Sequence, residues 1–332
     1  MKNPKISIVI PVHNDGRFLK DAIRSVERCD GMNYEMIIVN DGSDDRETLD
    51  ILRSLKKKGY KVITQKNKGP GSARNLGIAH SKSEYFLPLD ADDKITPDYI
   101  RQGIEILDKN PDVGVVYGDR FLFGDKNGIG ITGAFDRSRL SIETYIGICA
   151  VVRREAFDEC GGYDTSPPVR DSEDWELWLN IAKKGWRFFY IPRLLYYCRL
   201  RKDSLSKTTF NTPQKKSLLR YIWKKHADFC KIPFTESNFR MHMDRHYRNK
   251  KKGDVQYAPE LFMILSAPFK IISLLASVGH KDLAERALFF VKSKSFAYAG
   301  DLRRRKSPFL RIIADALEMP GRTIENFERK SK

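Results

Sequence analysis

The chain is poor in cysteine and lacks the cysteine spacings of a metal site or a disulfide framework. Its 332 residues hold five cysteines, an odd number, and none of them forms a Cys-x-x-Cys pair. Scattered single cysteines are typical of reduced thiols in a reducing compartment, whereas zinc sites and disulfide-rich folds need paired spacings. We therefore expect neither of those, and we expect a cytoplasmic protein.

Long uninterrupted apolar runs are also missing. The most apolar stretch, Leu261 to Gly279, is broken near its centre by Pro268 and Lys270. A spanning helix needs about 20 predominantly apolar residues, so this stretch is a poor transmembrane candidate. It is either a helical pair packed on the protein or an interfacial segment on a membrane. A predicted strand at Ile6–Ile10 follows the N-terminus almost at once, and no signal peptide is expected.

Acidic residues are scarce in one part of the chain. Residues 1–200 carry 31 Lys and Arg against 30 Asp and Glu, whereas residues 201–332 carry 29 against 13. Nearly all of the net charge of +17 therefore lies in the last part. Acidic lipid head groups, an acidic glycan and nucleic acid all fit such a zone, and so does a generally solvated basic surface. No recognised nucleic-acid motif accompanies the charge, so nucleic acid is not expected as a partner.

What the sequence does contain is a concentrated acidic cluster at residues 85–93. An apolar, β-prone segment runs there into Asp90, Asp92 and Asp93. Unpartnered carboxylates are costly to bury, so these acids must lie where the strand leaves the sheet, and open α/β sheets bind ligands there. Asp90 and Asp92 are two residues apart and point the same way in extended chain, which suits Mg²⁺ or Mn²⁺ shared with a phosphate-bearing substrate. The alternative is an acidic turn before a helix that starts at Thr96-Pro97.

Strand and helix patterns alternate through the first half of the chain. This alternation predicts a doubly wound, mostly parallel α/β sheet, with polar clusters gathered at the carboxyl ends of its strands. We expect a catalytic domain at residues 1–206 and a basic, mainly α-helical region at residues 207–332. The predicted strands are Lys5–Val12, Glu35–Val39, Lys61–Thr64, Tyr85–Leu89, Val113–Tyr117 and Phe188–Ile191.

Four local expectations concern helices and loops near these clusters. The glycine-rich segment 67–77 is expected to lead into a helix around Ala79, and a second helix is expected from Pro97 to about Lys109. Ser172 is expected to cap a helix with acids in its first turn. Residues 198–202 are expected to form a basic loop.

Five segments of the chain form an ordered set: Ser7–Asn14, Val39–Asp44, Asn67–Gly77, Leu89–Asp93 and the pair Gly161–Asp164 with Ser172–Leu179. Taken together in this order, they resemble the family 2 glycosyltransferases over about residues 4–206. The resemblance depends on all five in order and not on any single segment.

The resemblance implies a GT-A fold that uses a nucleotide-diphosphate sugar. It implies that Asp92 is the main ligand of Mn²⁺ or Mg²⁺ and that Asp90 contacts the metal or the ribose. It also implies that Asp174, with Glu173 beside it, is the general base for the acceptor hydroxyl, which gives inversion at the anomeric carbon.

The same resemblance implies a nucleotide site. Pro11, Val12 and His13 would line the nucleotide, Asp41 would accept a hydrogen bond from uracil N3, and Arg74 would lie near the base or the phosphates. His13 stands where the family often has Tyr, which puts the stacking partner of the base in doubt. Arg201 stands where many members carry His, so a cation at this position would serve the phosphate. No Gln-x-x-Arg-Trp segment follows Asp174, which indicates transfer of a single sugar.

We therefore expect an inverting, non-processive glycosyltransferase that uses a UDP-sugar and a glycan or lipid-linked acceptor in surface polysaccharide synthesis. The basic zone would place it peripherally on the cytoplasmic face of an anionic membrane. A sugar-1-phosphate nucleotidyltransferase is the nearest alternative, but it would need a glycine-rich loop directly after the first strand. A non-catalytic scaffold with the same fold is a further alternative, although it would be expected to lose one of the site acids.

Overall fold

The structure is a computed structural model that describes residues 3–29, 31–201, 212–233, 235–241, 244 and 255–256. Residues 1–191 and 195–256 form one compact unit, and residues 192–194 group with 257–332, which lie outside the described residues. The apolar stretch at 261–279 therefore lies outside the described residues.

The described residues contain helices and strands in alternation. The strands are β1 Ile6–Val12, β2 Tyr34–Asp41, β3 Lys61–Gln65, β4 Tyr85–Pro88, β5 Lys94–Ile95, β6 Val113–Gly124, β7 Gly128–Gly130, β8 Val151–Arg153, β9 Arg187–Leu200 and β10 Val255–Gln256. The helices are α1 Gly16–Glu27, α2 Arg46–Lys57, α3 Pro70–Ala79, α4 Tyr99–Lys109, α5 Arg137–Leu140, α6 Arg154–Asp158, α7 Glu173–Lys183, α8 Thr212–Lys225 and α9 Ala227–Cys230, with a 3₁₀ turn at Pro167–Val169.

All the strands of the described residues belong to one sheet, and its parallel part carries the predicted site. The order in space is β10-β7-β6-β8-β4-β1-β2-β3. Strands β3, β2, β1 and β4 are parallel neighbours, while β8, β6, β7 and β10 pair in antiparallel fashion. Strand β1 is buried along its whole length because helices cover a central strand of such a sheet on both faces. The α/β fold class predicted from the sequence is confirmed.

The core has two layers, one on each face of the sheet. Leu19, Ala22, Ile23 and Val26 lie on the buried face of α1, as their helical spacing predicts. On the other face, α7 buries Trp175 and Trp178 completely.

Helix α8 packs into the same layer as α7. Its buried apolar side chains are Leu218, Leu219, Ile222 and Trp223. Burial of an apolar side chain of this size contributes about 1.5–3 kcal/mol. Helix α8 lies beyond residue 206, and the predicted boundary there stays a prediction.

Two local expectations were wrong, and one differs only at the start of a helix. The glycine-rich segment is itself helix α3, which ends at Ala79, because Pro70 suits a first helical turn and Gly77 lets the helix lie against Val9 and Val39. The helix predicted from Pro97 to about Lys109 is α4, which begins two residues later, at Tyr99, and ends at Lys109. Strand β9 continues through Leu200, so most of the expected basic loop is paired strand.

Candidate active site

The carboxyl ends of three adjacent parallel strands define the site. His13, Asn14 and Asp15 follow β1, Asp41 ends β2, and the acidic cluster at 90–93 follows β4. Because β2, β1 and β4 are neighbours, these polar segments lie along one edge of the sheet. The polar clusters predicted at the strand ends therefore share one edge of the sheet.

The buried carboxylate of Asp41 holds the loop that precedes α3. Its Oδ1 accepts hydrogen bonds from Gln65 Nε2 at 2.7 Å and from the Lys68 backbone N–H at 2.9 Å. Its Oδ2 accepts from the Gly69 N–H at 2.9 Å. Asp41 is only 3% exposed. The predicted bond to uracil N3 would therefore be made by a carboxylate that is already fixed in place by the backbone.

The turn after β1 is bonded to the turn after β2. His13 Nδ1 lies 3.0 Å from the Asp41 carbonyl oxygen, and Asn67 Nδ2 lies 3.2 Å from His13 Nε2. A ring that donates from Nδ1 and accepts at Nε2 satisfies both contacts. Asn14 has a φ of 56°, and its side-chain oxygen accepts from the Asp44 N–H at 3.0 Å. These bonds fix the wall to which Pro11, Val12 and His13 belong.

Arg74 connects the acidic cluster to helix α7. Its guanidinium donates to Asp90 Oδ1 and to Glu173 Oε1, each at 2.5 Å. Arg74 is 4% exposed and Glu173 is 5% exposed, so the second pair is buried. The ring of Tyr163 lies 5.9 Å from the guanidinium carbon. Arg74 therefore places a positive charge between two carboxylates that would otherwise repel each other.

The other two acids of the cluster contact the end of β9. Asp92 Oδ2 lies 3.3 Å from Arg201 Nε, and the same guanidinium donates to both carboxylate oxygens of Asp15. The Asp93 carboxylate accepts from the Arg199 N–H at 2.8 Å. Burial and the negative charge of Asp90 raise the pKa of Asp92 to about 6. Burial also raises the pKa of Asp93 well above its usual value.

The donor set fits a hard divalent cation that completes its shell on a substrate. Asp90 and Asp92 each have one carboxylate oxygen that no side chain of the described residues contacts. Two such oxygens suit Mg²⁺ or Mn²⁺, which usually take one or two carboxylates together with phosphates and water. Within the described ranges, no three His, Cys, Asp or Glu side chains converge as a complete cage.

The first turn of α7 separates the roles of its two acids. Glu173 is paired with Arg74. Asp174 is half-buried, and its Oδ1 accepts a hydrogen bond of 2.7 Å from the Trp175 N–H. The second oxygen of Asp174 has no hydrogen-bond partner among the described residues. Burial and the adjacent charge of Glu173 raise the pKa of Asp174 to about 7. Asp174 can therefore accept a proton near neutral pH, whereas the Glu173 carboxylate is ion-paired with Arg74.

The structure thus brings most of the predicted residues to one edge, and it adds one that the sequence did not suggest. Asp41, Asp90 and Asp92 follow parallel strands, and Arg74 reaches from α3 to Glu173 on α7. Asp15 was missed, although its position directly after β1 in a polar cluster was a signal for it.

Comparison with known proteins assigns the family. Residues 7–161 match the model of "Glycosyl transferase family 2". An uncharacterized glycosyltransferase of Rickettsia prowazekii is 30% identical over 224 residues, which are 63% of this chain and 68% of the relative. The chain belongs to glycosyl transferase family 2. This confirms the family predicted from the five sequence segments.

This chain matches only part of the length of other relatives. An uncharacterized glycosyltransferase of Rickettsia bellii is 28% identical over 229 residues, which are 65% of this chain and 31% of that relative. The poly-β-1,6-N-acetyl-D-glucosamine synthase of Staphylococcus epidermidis is 30% identical over 205 residues, or 57% of this chain and 48% of the synthase. The chain thus spans about a third of the first of these and about half of the second.

Solved structures of low identity share the fold. Staphylococcus aureus TarS residues 1–349, in complex with UDP-GlcNAc, superposes with a TM-score of 0.54 at 16% identity, covering 99% of this chain and 92% of that one. The mannosyltransferase PcManGT of Pyrobaculum calidifontis, in complex with GDP-Man and Mn²⁺, gives a TM-score of 0.51 at 15% identity and covers 99% and 89%. Among the residues that the structure describes, no helix is long and apolar enough to cross a membrane.

Proposed function

We propose that the protein is an inverting, non-processive glycosyltransferase that moves a sugar from a nucleotide diphosphate to a hydroxyl group. One observation carries the proposal. Arg74 holds the acidic cluster after β4 and the first turn of α7 together, so that the predicted donor site and the predicted base share one edge. The leaving diphosphate can then be stabilised on one side of the anomeric carbon while the acceptor hydroxyl loses its proton on the other side.

In the proposed step, Asp174 accepts the proton of the acceptor hydroxyl. The acceptor oxygen forms a bond to the anomeric carbon from the side opposite the leaving group. The bond from that carbon to the diphosphate oxygen breaks, and its electron pair stays on the nucleoside diphosphate. A single displacement of this kind inverts the anomeric configuration. The pKa of Asp174, at about 7, suits a base that must be ionised for this role.

Negative charge grows on the diphosphate as the bond breaks. Arg201 directly follows β9 and lies 3.3 Å from Asp92, and among the described residues we assign it the role of meeting that charge. A divalent cation held by Asp92 and Asp90 would add Lewis-acid stabilisation of the same oxygens. PcManGT binds Mn²⁺ with GDP-Man, which supports a metal of this kind in the present chain.

A uridine nucleotide is the proposed donor. Asp41 is a fixed acceptor at the end of β2, and Pro11, Val12 and His13 form the neighbouring wall. An ionised carboxylate can accept a hydrogen bond from the N3–H of uracil. That N–H is the single donor on this edge of the base. The complex of TarS with UDP-GlcNAc supports this choice.

The proposed acceptor is a glycan or a lipid-linked glycan in surface polysaccharide synthesis. The similarity to a poly-N-acetylglucosamine synthase supports this class. The excess of basic residues in 201–332 would hold the enzyme on an anionic membrane surface, with each Lys or Arg near the surface contributing about 1 kcal/mol. The proposed location is therefore peripheral, at the cytoplasmic face of the membrane.

Substitution of Asp174 tests the proposal. Asp174→Asn keeps the size and polarity of the side chain but removes its capacity to accept a proton. We expect sugar transfer to fall roughly a hundredfold or more while UDP binding is retained. Asp158→Asn, which alters an exposed carboxylate, is the matched control and should transfer at the normal rate. Equal loss of UDP binding and transfer in Asp174→Asn would assign Asp174 a structural role instead.

A further inference from the structure

A group of charged side chains joins α7 to the end of α8. Glu176, in the first turn of α7, is 1% exposed, and its Oε1 lies 2.8 Å from Lys225 Nζ and 2.9 Å from His226 Nε2. Lys225 is the last residue of α8, and His226 directly follows it. His226 is also 1% exposed, and its Nδ1 has no hydrogen-bond partner among the described residues. The buried Glu176 carboxylate therefore depends on two neighbouring residues of the α8 end, since an unpaired buried charge is costly.

Lys225 also connects α7 to the segment Gly161–Asp164, which is part of the family resemblance. Its Nζ lies 2.5 Å from Asp164 Oδ2, and the same oxygen accepts a hydrogen bond of 2.6 Å from the Tyr221 hydroxyl of α8. The Lys225 side chain is 36% exposed, but the carboxylates that it joins are only 10% exposed in Asp164 and 1% in Glu176. Asp164 takes no part in the proposed transfer step, so its role is to hold this bridge.

Helix α3 completes the connection. The Asn75 side chain donates to the Tyr163 carbonyl oxygen at 2.8 Å and accepts from the Tyr163 N–H at 2.9 Å. Arg74, the residue before Asn75, pairs with Glu173 at the start of α7. The contacts thus form a closed ring, from α3 to the segment before Asp164, then to α8, to α7 and back to α3.

Asp174 lies between the two positions at which α7 is held. Glu173 and Glu176 are three residues apart and therefore neighbours on the helix surface, and they pair with α3 and α8 respectively. Among the described residues, the hydrogen bond to the Asp174 carboxylate comes from Trp175 of α7 itself. Apolar packing of α8 on α7 is not directional, whereas ion pairs and hydrogen bonds fix distances and angles. The charged contacts of its neighbours therefore set where Asp174 points.

We propose that Lys225 is a positioning residue for the base Asp174, and that α8 belongs to the catalytic unit although it lies beyond the segments that resemble the family. The proposal rests on the proposed function, because it takes Asp174 as the base. Lys225 joins Glu176 to Asp164 and thereby fixes the first turn of α7. Supporting contacts of this kind matter for the rate, since a misplacement of about 1 Å can cost about a hundredfold.

The test compares variants of the full chain. Lys225→Met removes the bridging charge, and Lys225→Arg keeps it. Asp164→Asn keeps the size of its side chain and breaks the same bridge from the other end, so it is a second variant should Lys225→Met fold poorly. Lys216→Met is the matched control, because Lys216 also lies in α8, is 35% exposed and pairs with Glu236 at 2.7 Å instead of with α7.

Three quantities are measured on each variant. The pKa of the Asp174 carboxyl is followed by NMR titration, with its signal assigned by its loss in Asp174→Asn. Release of UDP from UDP-GlcNAc in the presence of Mn²⁺ reports the rate, because water serves there as the acceptor that the base deprotonates. Calorimetry with UDP reports donor binding.

We expect Lys225→Met to lower the pKa of Asp174 from about 7 towards its usual value, because a displaced helix exposes the carboxyl to water. Loss of the Lys225 charge alone would raise that pKa, so the direction of the change reports movement of α7. The other charges that act on Asp174 are those of Glu173, Arg74 and Asp90, which the variants leave in place. UDP release should fall roughly tenfold with UDP binding unchanged, and Lys225→Arg should restore both the pKa and the rate.

The inference is overturned if the pKa of Asp174 stays the same or rises in both Lys225→Met and Asp164→Asn. A lower melting temperature with an unchanged pKa and rate would assign Lys225 to stability alone, and an equal effect of Lys216→Met would also overturn the inference. Failure of the proposed function would appear separately, as absence of UDP binding and UDP release in the wild type, while the titration of Asp174 still tests its positioning.

Discussion

Replacing Arg74 by Met should destabilise the protein much more than replacing an exposed arginine. Arg74 is 4% exposed and lies 2.5 Å from both Glu173 and Asp90. Removal of one partner of a buried ion pair costs about 3–5 kcal/mol, because the other charge stays buried without a counter-ion. In the variant, Glu173 would be the charge that stays buried without a counter-ion. The Asp90 side chain is 35% exposed and can be solvated instead. We therefore expect a loss of about 3 kcal/mol in the free energy of unfolding.

Urea unfolding measures this loss as a lower midpoint at an unchanged m value. Arg101→Met is the matched control, because Arg101 also contacts two carboxylates but is half exposed, and it should cost under about 1 kcal/mol. Adding Glu173→Gln to Arg74→Met removes the unpaired buried charge and should restore part of the stability. A loss under about 1 kcal/mol in Arg74→Met, or no recovery in the double variant, would refute the assignment of Arg74 as the counter-ion of Glu173.

Three further predictions follow from the same site and from the charge of the chain. Asp92→Ala should abolish divalent-dependent transfer and leave the fold intact, and normal turnover in chelator would refute the metal assignment. Because the pKa of Asp174 is raised to about 7, its carboxyl is neutral below that pH, so the transfer rate should rise through pH 7 and level off above it. A flat rate between pH 5 and 8 would contradict that role. The full chain should sediment with anionic but not neutral vesicles, and less so in high salt, because salt screens the attraction. Equal sedimentation with both kinds of vesicle would contradict the membrane proposal.

The acidic residues at the edge of the sheet could be predicted, because each of them follows an apolar, β-prone segment in the sequence. Asp41 and Asp90 come directly after apolar, β-prone runs, and the carboxyl ends of parallel strands meet at one edge whatever the details of packing. The alternation of strand and helix then fixes which edge they share. The general position of the site needs no more than this local information.

The contacts that complete the site depend on pairs far apart in the chain. Arg74 and Glu173 are 99 residues apart, and Arg201 and Asp15 are 186 apart, so neither pair has a sequence spacing that predicts it. The helical state of the segment before Ala79 was hidden for a different reason. Gly77 lowers helix propensity in isolation, but the close approach of α3 to Val9 and Val39 requires its missing Cβ.

Binding of nucleotide sugars to the wild type tests the central claim most directly. The melting temperature is measured with UDP-GlcNAc, GDP-Man and nucleotide-free sugar, each with Mn²⁺ and with chelator. A bound donor at 100 times its Kd stabilises the folded state by about 2.7 kcal/mol. We predict a clear rise with a uridine-diphosphate sugar and Mn²⁺ that is lost in chelator and in Asp92→Ala. No rise with any nucleotide sugar, or an equal rise in Asp92→Ala, would contradict a donor site at this edge.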